Sequence, residues 1–208
     1  ILFDYSLVTL SSGLGRGLSF VTSVILARKL GVKSFGEFSL FFTIMFLVWQ
    51  LPLAIDGTYV RYVNAEKEID SDAYLRIAFL MKLVMVSILA AISYPLGHIL
   101  ANNAFNKPGS SFFITASIIS GLSLSFYSTL TSIYQAKEEF LKYSVASVLF
   151  YVAVILAICA IIFAGITMTS ALAVWVYIAS ALAAGILSVC FIFDKLKRLF
   201  PIDVSTLY

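Results

Sequence analysis

Residues 8–27 read VTLSSGLGRGLSFVTSVILA, and this stretch is predominantly apolar. It contains a single charged residue, Arg16, near its middle. A helix needs about 20 apolar residues to cross the hydrocarbon core of a bilayer, and the part between Gly17 and the first loop cation, Arg28, is too short to cross alone. We therefore predict a membrane-spanning helix that holds Arg16 at membrane depth.

Arg16 needs a polar environment at that depth. Its guanidinium cannot deprotonate, and inserting it at a helix centre costs about 2.5 to 3.5 kcal/mol. The same helical face carries three hydroxyl side chains, those of Ser12, Ser19 and Ser23. This stripe favours a water-filled transport cavity in which Arg16 binds an anion. Two other interpretations stay open: a carboxylate on another helix neutralises Arg16, or its side chain extends to the nearer interface.

Small residues predict where helices pack closely. Gly13 and Gly17 form a GxxxG motif beside the polar stripe. Gly121 lies on a face with Ser117, Ser125, Ser128 and Ser132, which we interpret as a packing face rather than a substrate contact. Gly185 belongs to a similar seam of small residues.

The composition is that of a polytopic membrane protein. The 208 residues are 61% hydrophobic and 12% charged, and their mean hydropathy is +1.01, which excludes an ordinary soluble domain. The net charge of +3 resides in short loops and gives no indication of nucleic-acid binding. Two cysteines, Cys159 and Cys190, and one histidine, His98, are too few to form a metal site, so we predict neither metal nor cofactor.

Hydropathy and length predict six membrane-spanning helices and an all-α fold. The predicted spans are 8–27, 36–58, 77–97, 112–134, 143–164 and 171–193. They form one six-helix bundle over residues 1–193, followed by a basic, amphipathic connector at residues 194–208. Because the chain opens on Ile1 and stops soon after a cationic run, we interpret it as part of a longer protein.

The loop cations predict the orientation. The side that holds both ends of the chain carries eight of them: Arg61, Lys67, Arg76, Lys137, Lys142, Lys195, Lys197 and Arg198. The opposite side carries four: Arg28, Lys29, Lys33 and Lys107. The positive-inside rule therefore places both ends in the cytoplasm.

Three more polar residues inside the spans are candidates for the cavity. Pro52 predicts a kink in the second span, and Asp56 lies one turn beyond it. Asp56 is either an ordinary interfacial acid or the partner and relay of a cationic cavity. Lys82, about two turns inside the third span, either extends to the interface or lines the cavity. The third candidate for the cavity is Gln50, in the second predicted span.

The loop after the first span carries a recognisable motif. Residues 27–39 read ARKLGVKSFGEFS, and Arg28, Gly31, Phe35 and Gly36 within them resemble the signature that joins the first two helices of bacterial polysaccharide and O-antigen flippases. These transporters belong to the multidrug, oligosaccharidyl-lipid and polysaccharide exporter superfamily. The sequences IDGTYVRYVN (55–64) and IYQAKEEFLKYSVASV (133–148) are similar to two further stretches of that family.

The resemblance implies an alternating-access transporter with two bundles around a cationic cavity, of which this chain supplies one. The implied ligand is a lipid-linked oligosaccharide, a polyprenyl-pyrophosphate glycan. It is moved from the cytoplasmic to the outer leaflet of the bacterial inner membrane for surface polysaccharide synthesis. No bond is made or broken, so the protein is not expected to be an enzyme. The implied partners are the bilayer, the missing C-terminal half, and a glycan polymerase or glycosyltransferases.

Three alternatives remain at this point. The first is a drug or metabolite exporter of the same superfamily, although Arg16 favours an anionic substrate. The second is a membrane-embedded sugar transferase, which would need carboxylates or a histidine at the membrane edge. The third is a scaffold that transports nothing.

Overall fold

The computed structural model describes residues 2–65, 71–104 and 108–199, and every regular element in them is helical. The α-helices are α1 (Leu2–Gln50), α2 (Leu53–Ala65), α3 (Ser71–Ile99), α4 (Ser111–Ala136), α5 (Phe140–Phe163) and α6 (Ser170–Leu199). A π-helical turn (Leu100–Ala104) and a 3-10 turn (Pro108–Ser110) lie between α3 and α4. The predicted all-α class is confirmed for these ranges. Residues 200–208 of the predicted connector and the loop cations Lys67 and Lys107 lie outside them.

Five helical segments of the described residues are long and apolar enough to cross a bilayer. They are Ser6–Asn64, Ala73–Asn103, Ser111–Ala136, Phe140–Phe163 and Ser170–Ile192. The last four correspond to one predicted span each, whereas the first, of 59 residues, contains two. The chain is therefore a multi-pass membrane protein, and the prediction of six crossings depends on the path of the first segment.

The first segment turns back at Gly31. This residue has φ 72° and ψ 170° inside an otherwise helical run. A straight helix of that segment's length would extend about 90 Å at 1.5 Å per residue. Instead Arg16 and Trp49, from opposite sides of Gly31, line one cavity. We call residues 2–30 the N-terminal arm and residues 32–50 the C-terminal arm of α1; their geometry supports two crossings.

The turn between the arms is shorter than the sequence predicts. The predicted spans leave a loop over residues 28–35, yet only Gly31 leaves the helical conformation there. Arginine and lysine are good helix formers, so Arg28, Lys29 and Lys33 continue the helices on either side. The reversal depends on the backbone freedom of one glycine.

We predict that Gly31→Ala destabilises the protein by about 1 to 3 kcal/mol, because its φ and ψ lie in a region that is accessible essentially only to glycine. A Cβ added at this position would meet no atom within 4 Å, so the effect is one of backbone strain alone. Gly36→Ala is the matched control, because Gly36 is helical, exposed and equally open. Thermal unfolding in detergent measures both; equal midpoints for the two variants would contradict the prediction.

Pro52 interrupts the second predicted span, as expected. α1 ends at Gln50 and α2 begins at Leu53. Across the break, the Leu51 amide donates to the Val48 carbonyl at 3.2 Å and the Ile55 amide donates to the Pro52 carbonyl at 3.1 Å. The predicted kink is confirmed, and it separates α2 from the C-terminal arm.

Aromatic rings hold the C-terminal arm against α6. Phe38 and Phe42 contact Tyr177, with ring centroids 5.3 Å and 5.5 Å apart. Phe42 continues to Phe46 at 4.5 Å, and Phe46 to Trp49 at 5.1 Å. Each such aromatic pair stabilises the folded protein by about 0.5 to 1.5 kcal/mol, in addition to the contribution from burying its apolar surface. The row of rings therefore positions Trp49, which borders the candidate site.

α4 lies at the centre of the bundle and contacts each of the other helices. Its most apolar window is 61% buried, against 39% or less in the other four segments. Two of its buried serines bond within the helix: Ser117 Oγ donates to the Phe113 carbonyl and Ser120 Oγ to the Ala116 carbonyl. Because these hydroxyls are satisfied and small, they allow α4 to be buried and its neighbours to approach closely.

Two predicted packing glycines lie at such close approaches. A Cβ at Gly121 would meet the backbone carbonyl of Met45 in the C-terminal arm. A Cβ at Gly185, on α6, would lie 2.6 Å from the backbone carbonyl of Ser123 on α4. Only glycine allows either backbone contact.

We predict that Gly121→Ala lowers the free energy of unfolding by about 1 to 3 kcal/mol, since the added methyl group overpacks a contact with backbone atoms that cannot rotate away. Gly57→Ala on α2 is the control, because that position is exposed and open. Unfolding titrations in mixed micelles compare the two variants with the parent protein. A Gly121→Ala protein as stable as Gly57→Ala would show that the α1–α4 contact has room to relax.

Candidate functional site

A polar cavity of about 300 Å³ lies between α1, α4 and α5, with Leu53, the first residue of α2, at its edge. Its lining is rich in hydroxyl groups and includes, among the described residues, Arg16 as the only charged side chain. The polar lining residues are Ser11, Ser12, Arg16, Tyr127, Ser128, Thr131, Ser132, Gln135, Tyr143, Ser147 and Tyr151. We call it the Arg16 cavity. It occupies the half of the bundle where α1 begins, α4 ends and α5 begins.

Arg16 is exposed, and among the described residues it forms no hydrogen bond or ion pair. Its neighbour Gly15 is buried against α5, where a Cβ would lie 3.0 Å from Cε2 of Tyr151. α5 thus packs on the N-terminal arm beside Arg16. The exposed Arg16 side chain and the Tyr151 ring line the same cavity.

The packing predicted at the GxxxG motif is not found within the described chain. A Cβ at Gly13 or Gly17 would meet nothing within 4 Å, and both positions are exposed. The helix that packs closely on this arm, α5, contacts Gly15 instead. Gly13 and Gly17 flank the exposed face from which Arg16 projects, so that face is open to a further packing element.

The predicted polar stripe is divided between two environments. Ser12 lines the cavity together with Arg16, whereas Ser19 and Ser23 lie outside its lining. Ser23 Oγ donates to the Ser19 carbonyl at 3.0 Å, a bond within the helix. Gln50 is exposed and also lies outside the lining, which its neighbour Trp49 joins.

Sequence reasoning does not place the α4 and α5 walls among the candidates. The sequence pattern assigns Ser128 and Ser132 to packing, yet they line the cavity with Thr131 and Gln135. The available signal is the recurrence of hydroxyl and amide side chains at positions 128, 131, 132 and 135, which is one face of a helix near its end. Trp49, whose depth in the sequence is consistent with either packing or a cavity wall, also lines the cavity. Its buried indole Nε1 has no hydrogen-bond partner among the described residues.

Asp56 and Lys82 form a buried ion pair next to this cavity. Lys82 Nζ lies 2.6 Å from both carboxylate oxygens of Asp56. The side chains are only 1% and 3% exposed for Lys82 and Asp56, respectively. Neither extends to an interface: the pair joins α2 to α3 in the interior, against α4.

Every donor and acceptor of this pair is satisfied. Besides Asp56, Lys82 Nζ donates to Thr129 Oγ1 at 2.6 Å and to the Ser125 carbonyl at 2.8 Å, which uses its three N–H bonds. Ser128 Oγ donates to Asp56 Oδ2 at 2.6 Å, and Thr129 Oγ1 donates to Asp56 Oδ1 at 3.1 Å. We call these five residues the Asp56–Lys82 cluster. It ties α2, α3 and α4 together through charge-assisted hydrogen bonds.

A group of apolar side chains packs on the same three helices beside the cluster. Tyr59 on α2, Leu75 and Phe79 on α3 and Ile133 on α4 are buried together, each one or two turns away from the charged groups. Ser128, a member of the cluster, also borders the Arg16 cavity. The cluster therefore adjoins both the apolar group and the cavity wall.

A larger cavity of about 830 Å³ opens at the other end of the bundle, near the turn at Gly31. It is lined by Lys33 and Glu37 and by mostly apolar side chains, and Ser170 Oγ donates to Glu37 at 3.4 Å. Since its two charged residues have opposite signs, it offers no clear preference for an anion. The Arg16 cavity is the stronger candidate for that reason.

Comparison with known proteins identifies the family. A protein-family model described as "Polysaccharide biosynthesis protein" matches residues 1–206. The chain belongs to this family. Its members are transporter-like membrane proteins with a role in polysaccharide synthesis and export. Comparisons with curated proteins and with solved structures give no match.

The family motif lies at the turn between the two arms of α1. Gly31 forms the reversal itself, and the Phe35 ring is 6.1 Å from that of Phe38, which belongs to the aromatic row. Arg28 and Gly36 are exposed on either side. In this family member the motif is therefore structural: it sets the antiparallel arms that bring Arg16 and Trp49 to one cavity. Within the described ranges, no group of three or more His, Cys, Asp or Glu side chains is placed to hold a metal ion.

Proposed function

We propose that the protein is a flippase that moves a lipid-linked oligosaccharide from the cytoplasmic to the outer leaflet of the bacterial inner membrane. The observation that carries this proposal is Arg16, an unpaired guanidinium in a hydroxyl-lined cavity between apolar helices. A cation at membrane depth is costly, and such residues mark substrate pathways. The family's role in polysaccharide synthesis supports a glycan as the cargo.

The cavity chemistry fits a polyprenyl-pyrophosphate glycan. A guanidinium donates two parallel hydrogen bonds to a phosphate, and such charge-assisted bonds are about twice as strong as bonds between neutral groups. Sugar hydroxyls are both donors and acceptors, as are those of Ser12, Thr131 and Tyr143 in the wall. The indole Nε1 of Trp49, which has no hydrogen-bond partner among the described residues, would supply a further donor. The polyprenyl tail would lie in the surrounding lipid.

The size and exposure of the cavity support a second bundle. About 300 Å³ is at the lower limit of ligand pockets, and Arg16, Gly13 and Gly17 are exposed. A second six-helix bundle, supplied by a C-terminal half, would pack on this open face and enclose a larger pathway. The two bundles would then move against each other, opening the cavity alternately to each side. Asp56 and Lys82, paired beside the cavity, would act on this movement rather than contact the ligand in the described state.

The orientation is part of the same proposal. Among the described cations, Arg61, Lys137 and Lys142 are exposed at the end of the bundle that contains the Arg16 cavity. With six crossings, both ends of this chain face the cytoplasm, and the Arg16 cavity opens from the side on which lipid-linked glycans are assembled. Glycosyltransferases and a glycan polymerase would be the neighbouring partners.

Reconstitution tests the function. The full-length protein is placed in lipid vesicles with a polyprenyl-pyrophosphate disaccharide that carries a fluorophore on its sugar, and dithionite quenching reports which leaflet holds it. We expect transbilayer movement at least about tenfold faster than in protein-free vesicles. A polyprenyl disaccharide without phosphate is the matched substrate, and we expect it to remain in its leaflet. Equal movement of both lipids would contradict an anion-selective flippase.

A further inference from the structure

Ser128 is the point at which the cavity and the buried ion pair meet. It lines the Arg16 cavity, and its Oγ lies 2.6 Å from Asp56 Oδ2. Among the described residues, it is the only one that both borders this cavity and hydrogen-bonds to Asp56 through its side chain. Lys82 and Thr129, the other partners of that carboxylate, do not line the cavity.

The hydroxyl of Ser128 has one proton and more than one acceptor for it. Besides Asp56 Oδ2, the Ser125 carbonyl lies 2.6 Å from Ser128 Oγ. A phosphate oxygen in the cavity would be a third acceptor, and a charged one. When Ser128 donates elsewhere, Asp56 loses one of the hydrogen bonds that stabilise its buried charge. Because the hydrogen bonds of a buried network strengthen one another, this loss also weakens the remaining bonds of the cluster.

The network is connected to a hinge. Asp56 lies on α2 just beyond the helix break at Leu51–Pro52, and Leu53, the first residue of α2, borders the cavity. The segment after a break is free to pivot unless other contacts hold it. Here two sets of contacts hold α2 to α3 and α4: the Asp56–Lys82 cluster and the apolar contacts of Tyr59.

We propose that Ser128 couples occupancy of the Arg16 cavity to the Asp56–Lys82 cluster and thereby to the position of α2. An anion held near Arg16 accepts the hydrogen bond of Ser128, the cluster rearranges, and α2 pivots at Pro52. The inference rests on the proposed function for the chemical nature of the ligand. The coupling between anion binding and the position of α2 can be measured without a transport assay.

The experiment measures the α2 position with and without an anion. Spin labels are attached to Asn64→Cys on α2 and Leu141→Cys on α5, two exposed positions, in full-length protein whose Cys159 and Cys190 are replaced by alanine. Inorganic pyrophosphate is the probe, and each protein is measured at a concentration that saturates its own binding curve. We expect pyrophosphate to shift the distance between the labels by more than about 2 Å, the size of a loop or domain rearrangement.

Three substitutions distinguish coupling from a general structural effect. Ser128→Ala removes the connecting hydroxyl, and we expect it to abolish the pyrophosphate-dependent shift. Ser128→Thr, which keeps the hydroxyl, restores it. Thr129→Val disturbs the same ion pair without bordering the cavity, and we expect it to retain the shift. Loss of the shift in Ser128→Ala but not in Thr129→Val supports the proposal.

The outcomes distinguish this inference from the proposed function. Two results overturn the coupling but leave the anion site intact. In the first, the parent protein binds pyrophosphate saturably without a change in the label distance. In the second, the distance change persists in Ser128→Ala. If Ser128→Ala and Thr129→Val lose the distance change equally, the coupling through Ser128 is also overturned. In that case any disturbance of the Asp56–Lys82 cluster abolishes the change. Failure of the parent protein to bind pyrophosphate overturns the anion site, and the coupling with it.

Discussion

Export of the glycan is expected to fall about 100-fold when Arg16 is replaced by alanine, while the protein inserts at its normal level. Truncating a charge that binds a desolvated opposite charge costs about 2 to 5 kcal/mol, and about 1.4 kcal/mol corresponds to a factor of ten. Arg16 is the only charged residue among the described cavity lining, so no neighbour replaces it. It has no partner in the described chain, so its loss leaves no buried carboxylate unpaired.

The measurement is surface polysaccharide in cells whose own gene is replaced by the variant, together with the amount of protein in the membrane. Lys29→Ala is the control: it removes one exposed cation from the same arm but outside the cavity. Arg16→Lys keeps the charge and loses the bidentate geometry, so we expect an intermediate value. Normal export by Arg16→Ala would refute the anion-binding role, and an equal loss of export in both alanine variants would indicate a general effect of net charge.

The free energy of unfolding is expected to fall by about 3 to 5 kcal/mol when Lys82 is replaced by methionine, because a buried carboxylate is then left without its counterion. Asp56 is surrounded by α2, α3 and α4, and its side chain is 3% exposed, so water cannot replace the ammonium. Methionine has a similar volume and removes mainly the charge. The hydroxyls of Ser128 and Thr129 remain, but they do not neutralise Asp56.

Unfolding of the purified protein in mixed micelles measures this effect, and a double substitution tests its cause. Adding Asp56→Asn to Lys82→Met removes both charges, and we expect most of the stability to return. Lys142→Met is the matched control: Lys142 lies 3.1 Å from Glu139, but the two side chains are 62% and 37% exposed. Exposed pairs contribute about 0 to 1 kcal/mol. A double variant as unstable as Lys82→Met would show that packing, rather than charge, caused the loss.

The candidate site is only partly predictable from sequence. Arg16 and Ser12 are recognisable because a charge and hydroxyls on one face of an apolar helix are evident from spacing alone. Asp56 and Lys82 are recognisable as unusual, but not as partners, because 26 residues of sequence separate them and spacing carries no information across separate helices. The cavity walls formed by α4 and α5 are not predictable from sequence. The small hydroxyl side chains of α4 are suited to both helix packing and cavity lining, and only the positions of the neighbouring helices decide between these roles.

The amino-acid sequence by itself determined the properties that depend on local chemistry. Apolar segments long enough to cross a bilayer predict a multi-pass helical protein, since backbone polar groups in lipid must be satisfied within each helix. The family motif includes Gly31, whose backbone freedom permits the reversal, and Pro52 separates α2 from the preceding helix. These effects act within a few residues, so the amino-acid sequence is enough to find them.

The tertiary structure alone decided which residues meet. The rotation of each helix about its axis places Gly15 rather than Gly13 against α5, brings Lys82 to Asp56, and turns Ser128 toward both the carboxylate and the cavity. That rotation results from packing of the other helices around α4. Packing depends on the combined shapes of distant segments, and no single segment contains that information.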